Sequence, residues 1–195
     1  MKKITLNREQ PDKQTIETIA DYFRQGKVVA YPADTVYGLG CIATHREAVD
    51  KIHKIKQRPV DKPLLVLLSD QDMLKKYFKT DKQQREYLKK YWPGPFSFLL
   101  KSRGKMAVDS HQDDPEVVAR LPKNDFLIKI IERVGRPVTS TSLNQTGEET
   151  LQEVDNIQTY INTDQIDLLV DGGHLSGEAS SIIDIRDLDN IKQIR

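Results

Sequence analysis

Apolar residues first recur at helical spacing between Pro11 and Gly26. Ile16, Ile19, Ala20 and Phe23 share one face, Pro11 and Asp12 open the segment, and Gly26 stands where a glycine closes a helix. Lys27-Val28-Val29-Ala30-Tyr31, bounded by that glycine and by Pro32, predicts a strand. A second helix is predicted from Thr44 to about Lys56, with Ala48, Ile52 and Ile55 inward. The unbroken apolar run Leu64 to Leu68 fits a short strand covered on both faces. Residues 70 to 91 are lysine-rich and helical in composition, and end at a Trp92-Pro93-Gly94-Pro95 turn. Further strands are predicted at Phe96 to Leu100, Glu116 to Leu121, Asp167 to Val170 and Ile182 to Ile185. A helix from Phe126 to Val134 is closed by Gly135.

Helices and strands interleave without an internal repeat or a low-complexity linker. This predicts one α/β domain over residues 1–195 built on a mixed sheet, with an α+β arrangement as the alternative. The 195 residues suffice to bury a core. With 30 Lys+Arg against 29 Asp+Glu, the formal net charge is only +1, so phosphate binding must come from a local cluster. A lone Cys41 excludes an intramolecular disulfide framework. The longest aliphatic run is too short to span a bilayer, and the N-terminus turns charged before a signal-peptide core forms. The expectation is a soluble cytoplasmic protein.

Four segments carry candidate chemistry. Tyr31-Pro32-Ala33-Asp34-Thr35-Val36-Tyr37-Gly38-Leu39-Gly40 reads as a loop after a strand, either a ligand loop or a turn capped by Asp34. Gly38-Leu39-Gly40-Cys41-Ile42-Ala43 matches the dinucleotide pattern, but its glycines do not directly follow the strand. Lys51 to Pro63 is basic. Lys51 and Lys54 suit a solvated face at a helix C-terminus, whereas Lys56, Arg58 and Lys62 run into a proline-bounded loop where cations could neutralise a polyphosphate. Thr139-Ser140-Thr141-Ser142-Leu143-Asn144-Gln145-Thr146-Gly147 offers donors to an anion, or a helix-capping turn. Asp171-Gly172-Gly173 is a turn signal, and Ser180-Ser181 precede a strand. No P-loop, nucleophile elbow or H-E-x-x-H motif occurs, so nucleotide use requires another scaffold and a zinc site is not expected. Cys41 reads as a small buried thiol.

Taken in order, these segments resemble the YrdC family of threonylcarbamoyl-AMP synthases. The resemblance runs through Pro32 to Leu39, Lys56-x-Arg58 with Lys62-Pro63-Leu64, Trp92 to Pro95, Arg120-Leu121-Pro122, Ser142-x-Asn144, Asp171 to Gly173 and Ser180 to Asp184. It implies a twisted, open mixed sheet with flanking helices and a concave, positively charged cavity. It also implies a reaction in which L-threonine, bicarbonate and ATP, with Mg²⁺, give threonylcarbamoyl-AMP and pyrophosphate. The product then passes to a separate transferase complex that modifies tRNA beside the anticodon. By this resemblance Lys56 and Arg58 are catalytic and bind ATP together with Lys62, Ser142, Asn144, Thr150 and Arg195. Threonine falls to Thr35, Tyr37, Arg120, Ser140 and Ser181. Ala33, Leu143, Thr146 and Ser181 depart from the residues the family commonly has at these places.

Two other readings remain. A YrdC-like module that binds RNA or nucleotide without synthase activity belongs to a branch that generally departs from the Lys-x-Arg and Ser-x-Asn pairs, both intact here. An interaction subunit would use the lysine-rich residues 75 to 90 as a docking face, although a solvated face explains them equally well.

Overall fold

The computed structural model describes all residues except Thr35, Pro63, residues 110–112 and 146–149, Asn156, residues 178–179 and Arg195, together with the side chains of Thr159 and Tyr160. In chain order the elements are β1 (Lys2–Thr5), α1 (Lys13–Arg24), β2 (Val29–Pro32), β3 (Tyr37–Gly40), α2 (Arg46–Lys56), β4 (Val66–Leu67), α3 (Gln71–Tyr77) and α4 (Lys82–Lys89). They continue with β5 (Ser97–Lys101), β6 (Glu116–Arg120), α5 (Asp125–Val134), β7 (Val138–Thr139), β8 (Thr141–Ser142), α6 (Ile157–Tyr160), β9 (Leu168–Asp171), β10 (Ile182–Asp184) and β11 (Lys192–Gln193).

The helices begin and end where side-chain chemistry dictates. Asp12 accepts from Thr15 N at the start of α1, and Asn124 accepts from Leu127 N at the start of α5. Gly135 closes α5 in the left-handed region at φ 68°. α1 and α5 pack together and bury Ile16, Ile19, Ala20 and Phe23 from one and Phe126, Leu127, Ile130, Ile131 and Val134 from the other. Each such side chain except the small Ala20 contributes about 1.5–3 kcal/mol of burial free energy. The lysine-rich stretch is two helices, because Phe78 turns its backbone into an extended conformation and pairs with Ser102 across an isolated bridge. Lys75 and Lys89 pair with Asp72 and Glu86 on exposed surface.

The mixed α/β architecture matches the sequence expectation, but its strands form two sheets. One has the order β1-β9-β2-β3-β8 and the other β11-β10-β5-β6-β4-β7, and both mix parallel and antiparallel pairs. The predicted loop after Tyr31 is a hairpin: Val29 pairs with Gly40 and Pro32 with Tyr37. The glycines of the dinucleotide-like pattern therefore lie inside β3, and the sequence after them enters no phosphate-binding turn. They are small because a neighbouring chain crosses close by. A β-carbon at Gly40 would stand 2.1 Å from Thr139 O, and one at Gly38 would stand 3.3 Å from Ser140 Oγ.

That crossing chain joins the two sheets. β7 pairs with β4 in one sheet, β8 pairs with β3 in the other, and Ser140 lies between them with its N–H donated to Leu65 O at 2.8 Å. Thr139 N also donates to Cys41 O at 2.8 Å, and Ile42 bridges Val138. Cys41 is fully buried at this seam, where burial pushes its thiol up to about 12; it is a packing residue.

Candidate active site

The seam at Ser140 sets the site, because residues 140–144 leave it directly beside the end of α2. Ile52 and Ile55 bury one face of α2, and the helix delivers Lys56 to this loop with only 3% of its surface exposed. The Lys56 ammonium donates to Ser142 O at 2.7 Å, to Asn144 Oδ1 at 2.6 Å and to Asn144 O. Ser142 Oγ donates to the same Asn144 Oδ1 at 2.6 Å. One cation thus ties together two motifs 86 and 88 residues apart in sequence. Burial, and then the nearby Arg58 charge, lower the Lys56 ammonium to about 8.

Past Lys56 the chain turns sharply. Gln57 adopts φ 50°, the one left-handed non-glycine among the described residues. Arg58 N then donates to His53 O at 2.9 Å, and Arg58 Nε donates to Lys62 O at 3.1 Å. The Lys62 side chain itself is exposed.

A second charged group lies at the end of β6. Arg120 is 3% exposed and donates from Nη2 to Asp34 Oδ1 at 2.7 Å. Gly94 N, in the Trp-Pro-Gly-Pro turn, donates to Leu121 O at 3.0 Å and holds that strand end in place. Trp92 belongs to the turn and the core; it is buried, with its indole N–H on Phe96 O at 2.8 Å. Tyr31 connects the two regions: its hydroxyl donates to Thr139 O at 3.1 Å and lies near Ser140 and the Arg120 and Asp34 charges. Burial raises its pKa.

Tyr37 is fully buried. Its hydroxyl accepts from Gly172 N at 2.9 Å and donates to Gly173 O at 2.8 Å, so it clamps the Asp-Gly-Gly turn rather than standing open to an amino acid. Burial pushes it up to about 12. Asp171 accepts from Gly173 N at 2.9 Å and pairs with Lys3 at 2.9 Å, fixing the same turn. Ser180 and Ser97 share a hydrogen bond at 2.9 Å, and Ser181 O accepts from Ser97 N at 2.9 Å.

The structure therefore brings Lys56, Ser142 and Asn144 into direct contact, with Arg58 close by. Arg120, Tyr31 and Ser140 gather at the other side of the seam. Thr150 is half-exposed and precedes Leu151, whose carbonyl accepts from Tyr37 N at 3.4 Å. Ser181 is half-buried. Thr35 and Arg195 lie outside the described residues. Two contributors were not assigned from sequence: Asp34, whose partner Arg120 is 86 residues away, and His53, whose only sequence signal is its place five residues before Arg58. Among the described residues no group of three or more His, Cys, Asp or Glu side chains is placed to hold a metal ion.

The family model for Sua5, YciO and YrdC proteins, described as "Telomere recombination", matches residues 21–195. The chain belongs to the Sua5/YciO/YrdC family. It is 33% identical over 181 residues to the threonylcarbamoyl-AMP synthase of Pyrococcus abyssi, a match covering 91% of this chain and 53% of that protein. It is 29% identical to the Vibrio vulnificus (strain YJ016) threonylcarbamoyl-AMP synthase, covering 88% and 92% of the two chains. It is also 28% identical to Escherichia coli (strain K12) YciO, an uncharacterised protein, covering 93% and 89%. The chain thus spans about half the length of the Pyrococcus relative and nearly all of the other two. In structure it matches P. abyssi Sua5 complexed with L-threonine at TM-score 0.89 and 29% identity, over 100% of this chain and 57% of that one. It matches E. coli YciO at TM-score 0.89 and 27% identity, over 100% and 95%. No helix among the described residues is long and apolar enough to cross a membrane.

Proposed function

We propose that this chain is an L-threonylcarbamoyladenylate synthase, a nucleotidyltransferase that serves threonylcarbamoyladenosine modification of tRNA. The observation that carries this reading is the Lys56 ammonium on Ser142 O and both Asn144 oxygens, which makes one cluster of the Lys-x-Arg and Ser-x-Asn motifs. Relatives at 33% and 29% identity carry the synthase name, and a structural neighbour holds L-threonine.

In the reaction, the threonine amine attacks the bicarbonate carbon and water leaves, giving the carbamate. A carbamate oxygen then bonds to the α-phosphorus of ATP as the bond to the bridging oxygen breaks and pyrophosphate departs. Negative charge grows on the phosphoryl group and on pyrophosphate, and fixed cations stabilise it. Lys56 and Arg58 supply that field, and a Mg²⁺ bound with ATP would add charge neutralisation at the phosphates they hold. Ser142, Asn144 and Thr150 bind nucleotide, and the exposed Lys62 assists at the phosphate tail. Arg120, oriented by Asp34, pairs with the threonine carboxylate, with Ser140, Ser181 and Thr35 around the rest of the amino acid. Tyr37 acts through the Asp-Gly-Gly turn. No residue acts as a covalent nucleophile; catalysis is positioning and electrostatics. The product passes to a transferase complex in the cytoplasm.

The test is pyrophosphate release from ATP and Mg²⁺, with and without L-threonine and bicarbonate. Release that requires both and is lost in Arg58→Ala supports the synthase. The equal structural similarity to YciO favours one second reading, a nucleotide- or RNA-binding module. ATP binding without pyrophosphate release under any of these conditions would select it.

A further inference from the structure

We propose that His53 is a positioning residue for Arg58, holding the turn that presents the guanidinium to the triphosphate of ATP. This rests on the reading above that Arg58 contacts nucleotide. The His53 imidazole is 4% exposed at the end of α2, and its Nδ1 lies 3.2 Å from Arg58 O. The His53 carbonyl accepts from Arg58 N at 2.9 Å. One residue thus grips both peptide groups of the arginine, the incoming N–H by its main chain and the outgoing C=O by its side chain.

The grip has something to restrain. Gln57, immediately before Arg58, adopts a left-handed conformation that a non-glycine residue reaches only when its surroundings hold it there. Because Arg58 O is purely an acceptor, Nδ1 must carry the proton, which fixes the tautomer. A histidine in the last helical turn could instead serve the macrodipole, but that needs an imidazolium. Burial is the largest influence on His53 and, with the Arg58 charge, holds its pKa below the usual histidine value, which favours the neutral ring, although the hydrogen bonds with the Arg58 and Pro59 backbone and the Asp50 charge act in the opposite direction. His53 and Arg58 also line one open cleft of about 580 Å³, together with Arg46, Asp50 and Lys54 of α2. Arg58 in turn lies close enough to Lys56 to lower its pKa, so its placement also sets the electrostatics of the neighbouring cation.

The experiment measures ATP dissociation constants in the presence of Mg²⁺ by calorimetry, which does not depend on turnover. His53→Phe keeps the ring volume and loses the donor. It is expected to weaken ATP on the order of five- to tenfold, the scale of one lost hydrogen bond, while the KM for threonine stays put. His53→Asn carries a donor at the Nδ1 position and should recover wild-type affinity. In an Arg58→Ala background His53→Phe should add nothing, since the two act as one unit. Should His53→Phe fail to fold, His53→Gln replaces it, because its donor sits at the Nε2 position and should not rescue. Unchanged affinity in folded His53→Phe alongside weakened Arg58→Ala overturns this inference alone, and so does additivity in the double variant. Equal loss in the Asn and Phe variants overturns it too, by making ring shape the cause. Unchanged affinity in Arg58→Ala overturns both this inference and the assignment of Arg58 to nucleotide.

Discussion

The two sides of the seam use positive charge differently. At one side, Lys56 is a cation surrounded by neutral oxygens, and burial together with Arg58 brings its pKa to about 8. At the other, Arg120 is a cation matched by a carboxylate, Asp34, with both side chains largely buried. A guanidinium does not deprotonate in a protein, so the Arg120 side has a permanent charge and a fixed direction. The Lys56 side has a charge that the environment can remove. Anchoring one carboxylate suits the first arrangement. The second suits a polyphosphate, whose own charge restores the ammonium on binding.

The largest effect on that comparison comes from Arg120→Ala. It leaves Asp34 as an unpaired buried carboxylate and should cost about 3–5 kcal/mol of stability in thermal or denaturant unfolding. Pairing it with Asp34→Asn should recover much of the stability without recovering threonine-dependent pyrophosphate release. If the double variant released pyrophosphate normally, the permanent-charge side would have no part in binding.

Next is Lys56→Met, which removes a charged donor from three oxygens, of which Asn144 Oδ1 still accepts from Ser142 Oγ. A loss of about 1.5–3 kcal/mol in ATP binding, roughly 10- to 100-fold, is expected by calorimetry. A smaller and sharper measurement is the pH profile. In the free protein Lys56 is protonated below about 8, so ATP affinity should fall as pH rises through about 8, by at most about tenfold per unit, and the fall should vanish in Lys56→Met. The stability effect has the opposite sign. The unfolded chain keeps the lysine proton up to the ordinary 10.5, so between about 8 and 10.5 folded-state stability should rise relative to Lys56→Met. Threonine affinity should not share the step at pH 8.

The smallest effect is expected from Tyr37→Phe. It removes the hydroxyl between Gly172 N and Gly173 O and should cost about 1–2 kcal/mol of stability. If Tyr37 acts only through the turn, the KM for threonine rises modestly while kcat holds.

Much of the fold was legible along the chain because local chemistry dictates it. The faces of α1 and α5, the cap residue Asp12 and the closing Gly135 all follow from spacings of four residues or fewer. Motif order alone led to the family, because Lys56-x-Arg58 and Ser142-x-Asn144 are short strings of chemistry-bearing residues. β3 was not legible: Tyr37 to Gly40 contains two glycines, which read as a loop until the partner that needs their smallness, the chain at Thr139 and Ser140, is in place. β8 was hidden in the same way, since Thr141 and Ser142 have the composition of a turn and become a strand only against β3.

What the sequence determined by itself, then, is the apolar faces of α1, α2 and α5, which charges are available and which motifs occur. The tertiary structure decided the rest: the division into two sheets, the burial that lowers Lys56, the carboxylate facing Arg120 and the use of the Tyr37 hydroxyl. The physical reason is range. Helix faces and caps are settled by neighbours a few residues away, whereas desolvation and ion pairing depend on atoms brought close across 86 residues of chain, which only the packed fold specifies.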